Sequence, residues 1–206
     1  MAITGMTGAV YVSDVTAPLK SFTDEACTGD NENKIFQIDN DTLRYWDPDA
    51  EVVIKVDGAK VTTGFFIERI GGRVIFESAI TDDVTVSGKA LTLIQAGGFF
   101  NWSVDATKEE AETTTFGSKG WKEFLGTLKG WSGSADAYWG DEQFISSLGK
   151  TVVVKLFTDA GDAQDCFEGF AVITGDGIEV PVDGIVEESV DFTGVGPLYI
   201  RMEEEE

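Results

Sequence analysis

Residues 113–139 read TTTFGSKGWKEFLGTLKGWSGSADAYW, and the architecture of the chain is clearest in this segment. Large aromatic side chains stand there among Gly, Ser and Lys, namely Phe116, Trp121, Phe124 and Trp131. Aromatic residues are enriched at the centres of protein interfaces, so this composition predicts a surface that another chain buries. For Phe124 and Trp131, the alternative is packing within the chain's own core.

Two runs in this region alternate between apolar and polar residues, which is the pattern of a half-buried β-strand. In residues 101–109, Trp102, Val104 and Ala106 occupy the even positions and polar residues occupy the odd ones. In residues 131–139, Trp and Ala alternate with Ser, Asp and Tyr. Each run therefore predicts a strand with one face toward a core and one face toward water.

Further strands are predicted along the whole chain. They cover residues 9–12, 35–38, 52–56, 64–69, 73–77, 84–93, 152–157, 167–174, 178–182, 186–192 and 198–201. Tight turns are indicated by Asp-Gly at 57–58, Gly-Gly at 71–72 and Asp-Gly at 176–177, because these dipeptides favour the left-handed backbone of short hairpins.

Two segments carry helical patterns. Residues 141–149 predict a short helix that Asp141 caps and Gly149 ends. Residues 119–129 also place apolar side chains at helical spacing. Because Gly126 costs a helix about 1 kcal/mol relative to Ala, this segment predicts either a helix or a broad loop with one helical turn.

The strand pattern predicts a mainly β chain: a β-sandwich or barrel-forming subunit with one short flanking helix and a hairpin-rich N-terminal part. The 206 residues are 42% hydrophobic, with 24 Gly and 4 Pro, which suits short strands joined by tight turns. A composition shift near residue 95 indicates an N-terminal arm and hairpin-rich region (1–95), a β-sandwich core (96–201) and an acidic tail (202–206). Residues 13–34 are polar and lack a period, and we expect them to be an arm that becomes ordered on assembly.

The charge balance is strongly acidic, with 15 basic and 37 acidic residues and a net charge of −22. Such a surface repels nucleic acid and anionic membranes, which argues against DNA-binding and membrane-surface functions. The first residues lack the basic and apolar regions of a signal peptide, which predicts use without classical secretion. The acidic surface serves solubility or, if the chain lines a channel, lets a polyanion pass without binding.

The residue types of common catalytic and metal sites are missing or wrongly spaced. The chain has no His, so a Ser-His-Asp triad and the usual general base are absent. Cys27 and Cys166 are far apart in sequence and have no metal-ligand spacing, which predicts reduced thiols. The acidic run at residues 39–51 does not match the spacing of a calcium-binding EF-hand loop. We therefore expect no catalytic residue, no metal, no cofactor and no enzymatic activity.

Four segments in a fixed order carry a family resemblance. They are FGSKGWKEFLGTLKGWSGSADAYW (116–139), DEQFISSL (141–148), FEGFAVITG (167–175) and VEESVDFTGVGPL (186–198). This order resembles that of the major tail tube proteins of long-tailed, siphovirus-type bacteriophages. The resemblance covers about residues 85–201, and GGRVIFESAITDDVTVSG at 71–88 also looks like the N-terminal region of some members.

The resemblance implies a β-sandwich subunit with a flanking helix, of which six copies form a ring whose strands join into one inner barrel. Stacked rings would make a tube through which DNA leaves the particle without specific binding. The implied partners are other copies of the chain and the tape measure, tail terminator and baseplate proteins, with no membrane. The implied location is the virion tail, after synthesis in the cytoplasm of the host bacterium.

Two sets of residues have expected roles in such an assembly. Contacts between subunits or rings are expected at Phe116, Trp121 and Trp131. The wet strand faces would line the lumen and repel DNA phosphates through Asp105, Glu109, Glu112 and Asp136. The alternative is that these carboxylates face outward.

Two other classes of protein fit the same composition. One is another ring component of a virion, such as a tail terminator or a baseplate protein, which would form single rings. The other is a non-catalytic carbohydrate-binding β-sandwich, which would expose several Trp side chains on one flat face for stacking on sugars.

Overall fold

The computed structural model describes residues 8–140, 143–158 and 165–202. Within these ranges the chain forms fourteen β-strands and one short helix, so the prediction of a mainly β fold is confirmed. The strands are β1 (Ala9–Ser13), β2 (Lys20–Gly29), β3 (Ile35–Ile38), β4 (Val53–Val56), β5 (Ala59–Val61), β6 (Phe65–Glu68), β7 (Arg73–Phe76), β8 (Val84–Ala90), β9 (Leu93–Ala96), β10 (Phe99–Glu112), β11 (Phe124–Tyr138), β12 (Thr151–Phe157), β13 (Cys166–Glu179) and β14 (Glu187–Arg201).

The helical segments are short. Helix α1 covers Gln143–Ser147, and 3-10 turns cover Asp41–Leu43 and Phe116–Ser118. The predicted cap Asp141 and residues 203–206 of the predicted acidic tail lie outside the described residues. Among the described helices, none is long and apolar enough to cross a membrane.

The chain divides into two compact units. One, called here the inserted unit, is Tyr11–Ile94; the other, called the main unit, is Met1–Val10 with Gln95–Glu206. In sequence the first is thus an insertion in the second. Strand β1 crosses the boundary between residues 10 and 11, and it pairs in the same sheet as the strands of the main unit.

The inserted unit is an antiparallel sheet with the strand order β5-β4-β8-β2-β3-β7-β6. Its core surrounds Trp46, which is fully buried and whose ring lies 6.1 Å from that of Phe22. The two turns predicted here are confirmed: φ is positive at Asp57 and Gly58 and at both glycines of 71–72, as tight hairpins require.

Residues 13–34 are not an unstructured arm, because they contain the ten-residue strand β2. This strand pairs with β3 and β8. A bulge between Phe22 and Glu25, with Asp24 at a φ of 53°, interrupts its pairing with β8. A bulge breaks the period-two alternation by which a strand is recognised in a sequence, so the prediction failed.

The main unit is built on a sheet with the strand order β10-β11-β14-β13-β12-β1-β9. One face of its central strands forms a core, in which Trp131, Ala135, Ala137, Val190 and Phe192 are at most 5% exposed. Helix α1 packs against this sheet through Phe144, whose ring lies 5.5 Å from that of Phe99.

Three local predictions of secondary structure are wrong. For residues 119–129 the prediction was a helix or a broad loop with one helical turn, but from Phe124 onward the chain forms strand β11, which pairs with β10. The turn predicted at residues 176–177 is part of β13: Gly177 has no positive φ and pairs with Ser189. The strand predicted over residues 84–93 is split into β8 and β9, since the intervening Leu91 N–H donates to the Tyr45 carbonyl instead.

Candidate subunit-interaction surfaces

The hairpin of β10 and β11 extends far beyond the strand that supports it. The two strands pair with each other as far as Glu112 and Phe124, whereas the pairing of β11 with β14 ends at Ser132 and Thr193. Residues 107–130, called here the arm, are exposed throughout except for Ser118. A two-stranded ribbon with both faces in water is marginally stable, so this arm is a candidate for burial by another chain.

The tip of the arm has a defined shape despite its exposure. The Thr113 N–H donates to the Glu123 carbonyl at 2.8 Å, and the Trp121 N–H donates to the Ser118 carbonyl at 3.0 Å. Lys119 adopts a left-handed conformation with a φ of 51°. These contacts hold the Trp121 side chain on an ordered turn, so binding a partner there costs less conformational entropy.

The arm displays a cluster of large apolar side chains. Phe116 is 111% exposed relative to an extended reference, and Trp121 is 79% exposed. The arm also carries Phe124, Leu125 and Leu128, each more than half exposed. Phe124 is therefore not a core residue of the isolated subunit. Five large apolar side chains exposed within one short hairpin are a candidate interaction site.

Trp131, the third aromatic residue expected at an interface, lies in the subunit's own core. It is 5% exposed, its Nε1–H donates to the Gly196 carbonyl at 3.2 Å, and its ring lies 6.1 Å from that of Phe192. The alternative of core packing therefore describes its place in the isolated subunit. Trp131 directly follows the arm in sequence and fixes its end to the core. Of the three aromatic residues expected at an interface, Phe116 and Trp121 are exposed.

The other face of the same sheet is polar across β10, β11 and β14. Asp136 stands at its centre: Asn101 Nδ2–H donates to one carboxylate oxygen at 2.9 Å, and the Ser189 hydroxyl donates to the other at 2.8 Å. The hydroxyls of Ser103 and Ser134 lie 3.1 Å apart in the next row. Cross-strand hydrogen bonds of this type fix polar side chains on a wet sheet face.

Two of the four predicted carboxylates share this polar face. Asp105 is exposed and pairs with Ser132, in the same side-chain row as Asp136. Glu109 lies at a register shift between β10 and β11. Glu112 lies near the tip of the arm, where Lys122 forms an ion pair with it at 3.2 Å. The structure thus brings Asp105 and Asp136 together and places Glu109 and Glu112 in the arm.

The polar face includes two carboxylates that were not chosen from the sequence. Glu187 and Asp191 alternate with buried residues on β14, and Asp191 pairs with Ser134. The signal was present, since residues 186–192 alternate in the sequence as well. The polar rows at 101–107, 132–138 and 187–193 hold four carboxylates and neither Lys nor Arg.

In the part of the chain that the structure describes, no group of three or more His, Cys, Asp or Glu side chains is arranged to hold a metal ion. Both thiols are shielded: burial is the main cause that raises the pKa of Cys27 to about 12 and that of Cys166 to about 11. Asp39 and Glu25 raise the pKa of Cys27 further by electrostatic repulsion of the thiolate.

No family model and no curated protein matches this sequence. Among solved structures, a chain in "Tail of empty GTA particle computed with helical refinement, C6 symmetry" is similar, with 16% identity and a TM-score of 0.44 over 53% of this chain and 87% of that one. A chain in "Virion of native gene transfer agent (GTA) particle" has 17% identity and a TM-score of 0.44 over 53% of this chain and 88% of that one. A likeness at a TM-score below 0.5 does not establish a common fold.

Proposed function

We propose that this chain is the self-assembling subunit of a phage-type tail tube, in which rings of six copies stack around a channel for DNA. The observation that carries the proposal is the arm: an ordered hairpin of 24 residues whose apolar side chains face water in the isolated subunit. The resemblance of residues 85–201 to major tail tube proteins supplies the kind of assembly that would bury it.

The sheet of the main unit has an edge suited to joining copies into a ring. Among the described strands, β10 is the last in the sheet order and pairs on one side only, with β11. An unpaired edge of fourteen residues is a template for pairing with another chain, and closing the sheets of several copies into one barrel removes every such edge. Ring formation therefore accounts for an edge that would otherwise invite uncontrolled aggregation.

The polar face supports a lumen lining. Its carboxylates alternate with Ser, Thr and Asn, and Asp136 is held by two hydrogen bonds. Around a channel this pattern would repeat in every copy and present negative charge without exposed cations. Phosphates would be repelled, so DNA would pass without the salt-dependent binding that basic surfaces produce. In this function the further partners would be the tape measure, tail terminator and baseplate proteins of a virion.

The experiment that tests this function is negative-stain electron microscopy of the purified chain over a range of protein and salt concentrations. A net charge of −22 opposes self-association at low ionic strength, and added salt screens the repulsion between copies. Long tubes with a central channel are expected at high protein and salt concentration. Single rings would favour a terminator or baseplate component instead. A chain that stays monomeric under all conditions would contradict self-assembly and would direct the next test to glycan binding.

A further inference from the structure

The turn that joins β13 to β14 forms a second exposed apolar surface, at residues 178–187, called here the rim. Its aliphatic side chains are largely in water: Val182 is 102% exposed, Val180 71% and Ile185 63%. The rim is continuous with the end of β11, because the Trp139 N–H donates to the Val186 carbonyl at 3.0 Å. Such a patch marks a contact surface rather than chance exposure.

The rim also carries three carboxylates whose negative charge no neighbouring cation in the described ranges neutralises. Glu179 and Glu187 stand directly opposite each other on β13 and β14, and like charges in such a pair destabilise the hairpin. Asp183 lies in the turn between them. Among the described residues, none of these three carboxylates has a cation within ion-pair distance.

The arm carries positive charge in an arrangement like that of the rim: two like charges face each other across the hairpin and a third lies in the turn. Lys108 and Lys129 stand directly opposite each other on β10 and β11, and Lys119 projects from the tip. In the described part of the chain, none of these three lysines has a carboxylate within ion-pair distance. Unpaired lysines are unexpected in a chain with 37 acidic and 15 basic residues.

Strand directions place the arm and the rim at opposite ends of the same sheet. At one end Tyr138 pairs with Glu187, and Glu187 pairs with Glu179; at the other end Glu112 pairs with Phe124. Two complementary surfaces at opposite ends of one subunit cannot satisfy each other within it. Between copies they form a heterologous contact, which repeats without closing and generates a filament.

We propose that the arm of one copy docks on the rim of a second copy, with Lys108, Lys119 and Lys129 facing Glu179, Asp183 and Glu187. The apolar side chains of the arm then pack on the aliphatic side chains of the rim. Each docking relieves two like-charge repulsions, one in each hairpin. This pairing rests on the proposed tube function and adds to it which two surfaces meet between successive rings and why the stack has a direction.

The test exchanges the charges of the two surfaces. An arm-reversed chain carries Lys108→Glu and Lys129→Glu, and a rim-reversed chain carries Glu179→Lys and Glu187→Lys. Each keeps a like-charge pair across its hairpin, so the stability of the hairpin itself should change little. Either chain alone would place like charges in the contact, and we expect its critical concentration for pelleting to rise at least about tenfold.

Mixing the two chains in equal amounts should restore assembly, because the acidic arm of the arm-reversed chain fits the basic rim of the rim-reversed chain. The basic arm of the rim-reversed chain likewise fits the acidic rim of the arm-reversed chain. Rescue by mixing cannot arise from misfolded protein, and circular dichroism of each chain provides a separate check. Folded chains that stay unassembled both alone and when mixed would overturn the pairing of arm and rim.

Matched controls carry the same charge changes in the inserted unit. Lys20→Glu with Lys34→Glu matches the arm reversal, and Glu77→Lys with Asp82→Lys matches the rim reversal. These control chains should assemble like the wild type. If both reversed chains form normal tubes alone, the tube function stands and the docking surfaces are wrong. If the wild type forms no multimer at all, both proposals fall.

Discussion

The indole ring of Trp131 lies against the backbone of Gly194, in the space that a side chain at residue 194 would fill. Its Nε1–H donates to the Gly196 carbonyl at 3.2 Å, so ring and backbone are joined by packing and by a hydrogen bond. Trp131 is the residue at which the arm leaves the sheet. One close contact to β14 therefore anchors the part of the chain that is proposed to reach the next copy.

Replacing Gly194 by Ala should destabilise the main unit by about 1–3 kcal/mol, because the added methyl group must displace the indole from a packed core. Urea unfolding followed by tryptophan fluorescence measures this change. Gly97→Ala is the matched control, since no atom lies within 4 Å of a Cβ built there, and it should stay within about 0.5 kcal/mol of wild type. Equal stability of the two variants would contradict this packing of Trp131 on Gly194.

Trp121→Ala and Trp131→Ala should separate assembly from folding. Trp131 is buried, so its truncation should cost about 3–5 kcal/mol of folding stability. Trp121 is 79% exposed, so its truncation should leave the unfolding midpoint nearly unchanged and yield soluble monomers that do not polymerise. Phe66→Ala, which removes an aromatic side chain that is 62% exposed in the inserted unit, is the control for assembly. Normal tubes from Trp121→Ala would reject the arm as an interface.

The regular parts of the main unit were predictable from the sequence because their strands are half-buried. In residues 101–107, 132–138 and 187–193, water on one face and core on the other leave a clear period of two. The arm was not predictable, since it is exposed on both faces and no burial constrains its pattern. Its apolar residues fell at helical spacing by coincidence, and strand pairing with β10 decided its structure.

The candidate interaction surfaces were predicted from the sequence only in part. Phe116 and Trp121 were identified by composition, and the structure exposes both. Trp131 is of the same residue type as Trp121 and has similar neighbours in sequence. Only its three-dimensional contact with Gly194 shows that it is buried. The rim was not predicted, because Asp-Gly at 176–177 indicated a turn at an earlier point in the chain. Cross-strand charge pairs such as Glu179 with Glu187 become visible only when the register is known.

The two thiols should be unreactive in the folded chain. The thiolate is the reactive species, and burial raises the pKa of Cys27 to about 12 and that of Cys166 to about 11. At pH 8 the thiolate fraction of each is therefore far below that of a free cysteine. Alkylation by iodoacetamide should be slower than in urea by about two orders of magnitude at Cys166 and about three at Cys27. Mass spectrometry of tryptic peptides follows each site separately. Similar rates with and without urea would show that the thiols are not shielded.

Asp105→Lys should convert an inert channel into one that retains DNA. Asp105 pairs with Ser132 and lies outside the hydrogen bonds that hold Asp136, so the substitution should leave the sheet and the yield of tubes unchanged. Each copy would then place a cation in the proposed lumen, and phosphate binding that weakens steeply with salt should follow. Cosedimentation of duplex DNA with tubes, and cryo-electron microscopy for density in the channel, measure this. Asp82→Lys makes the same charge change in the inserted unit and should add no density there. Variant tubes with an empty channel would show that residue 105 faces away from the lumen.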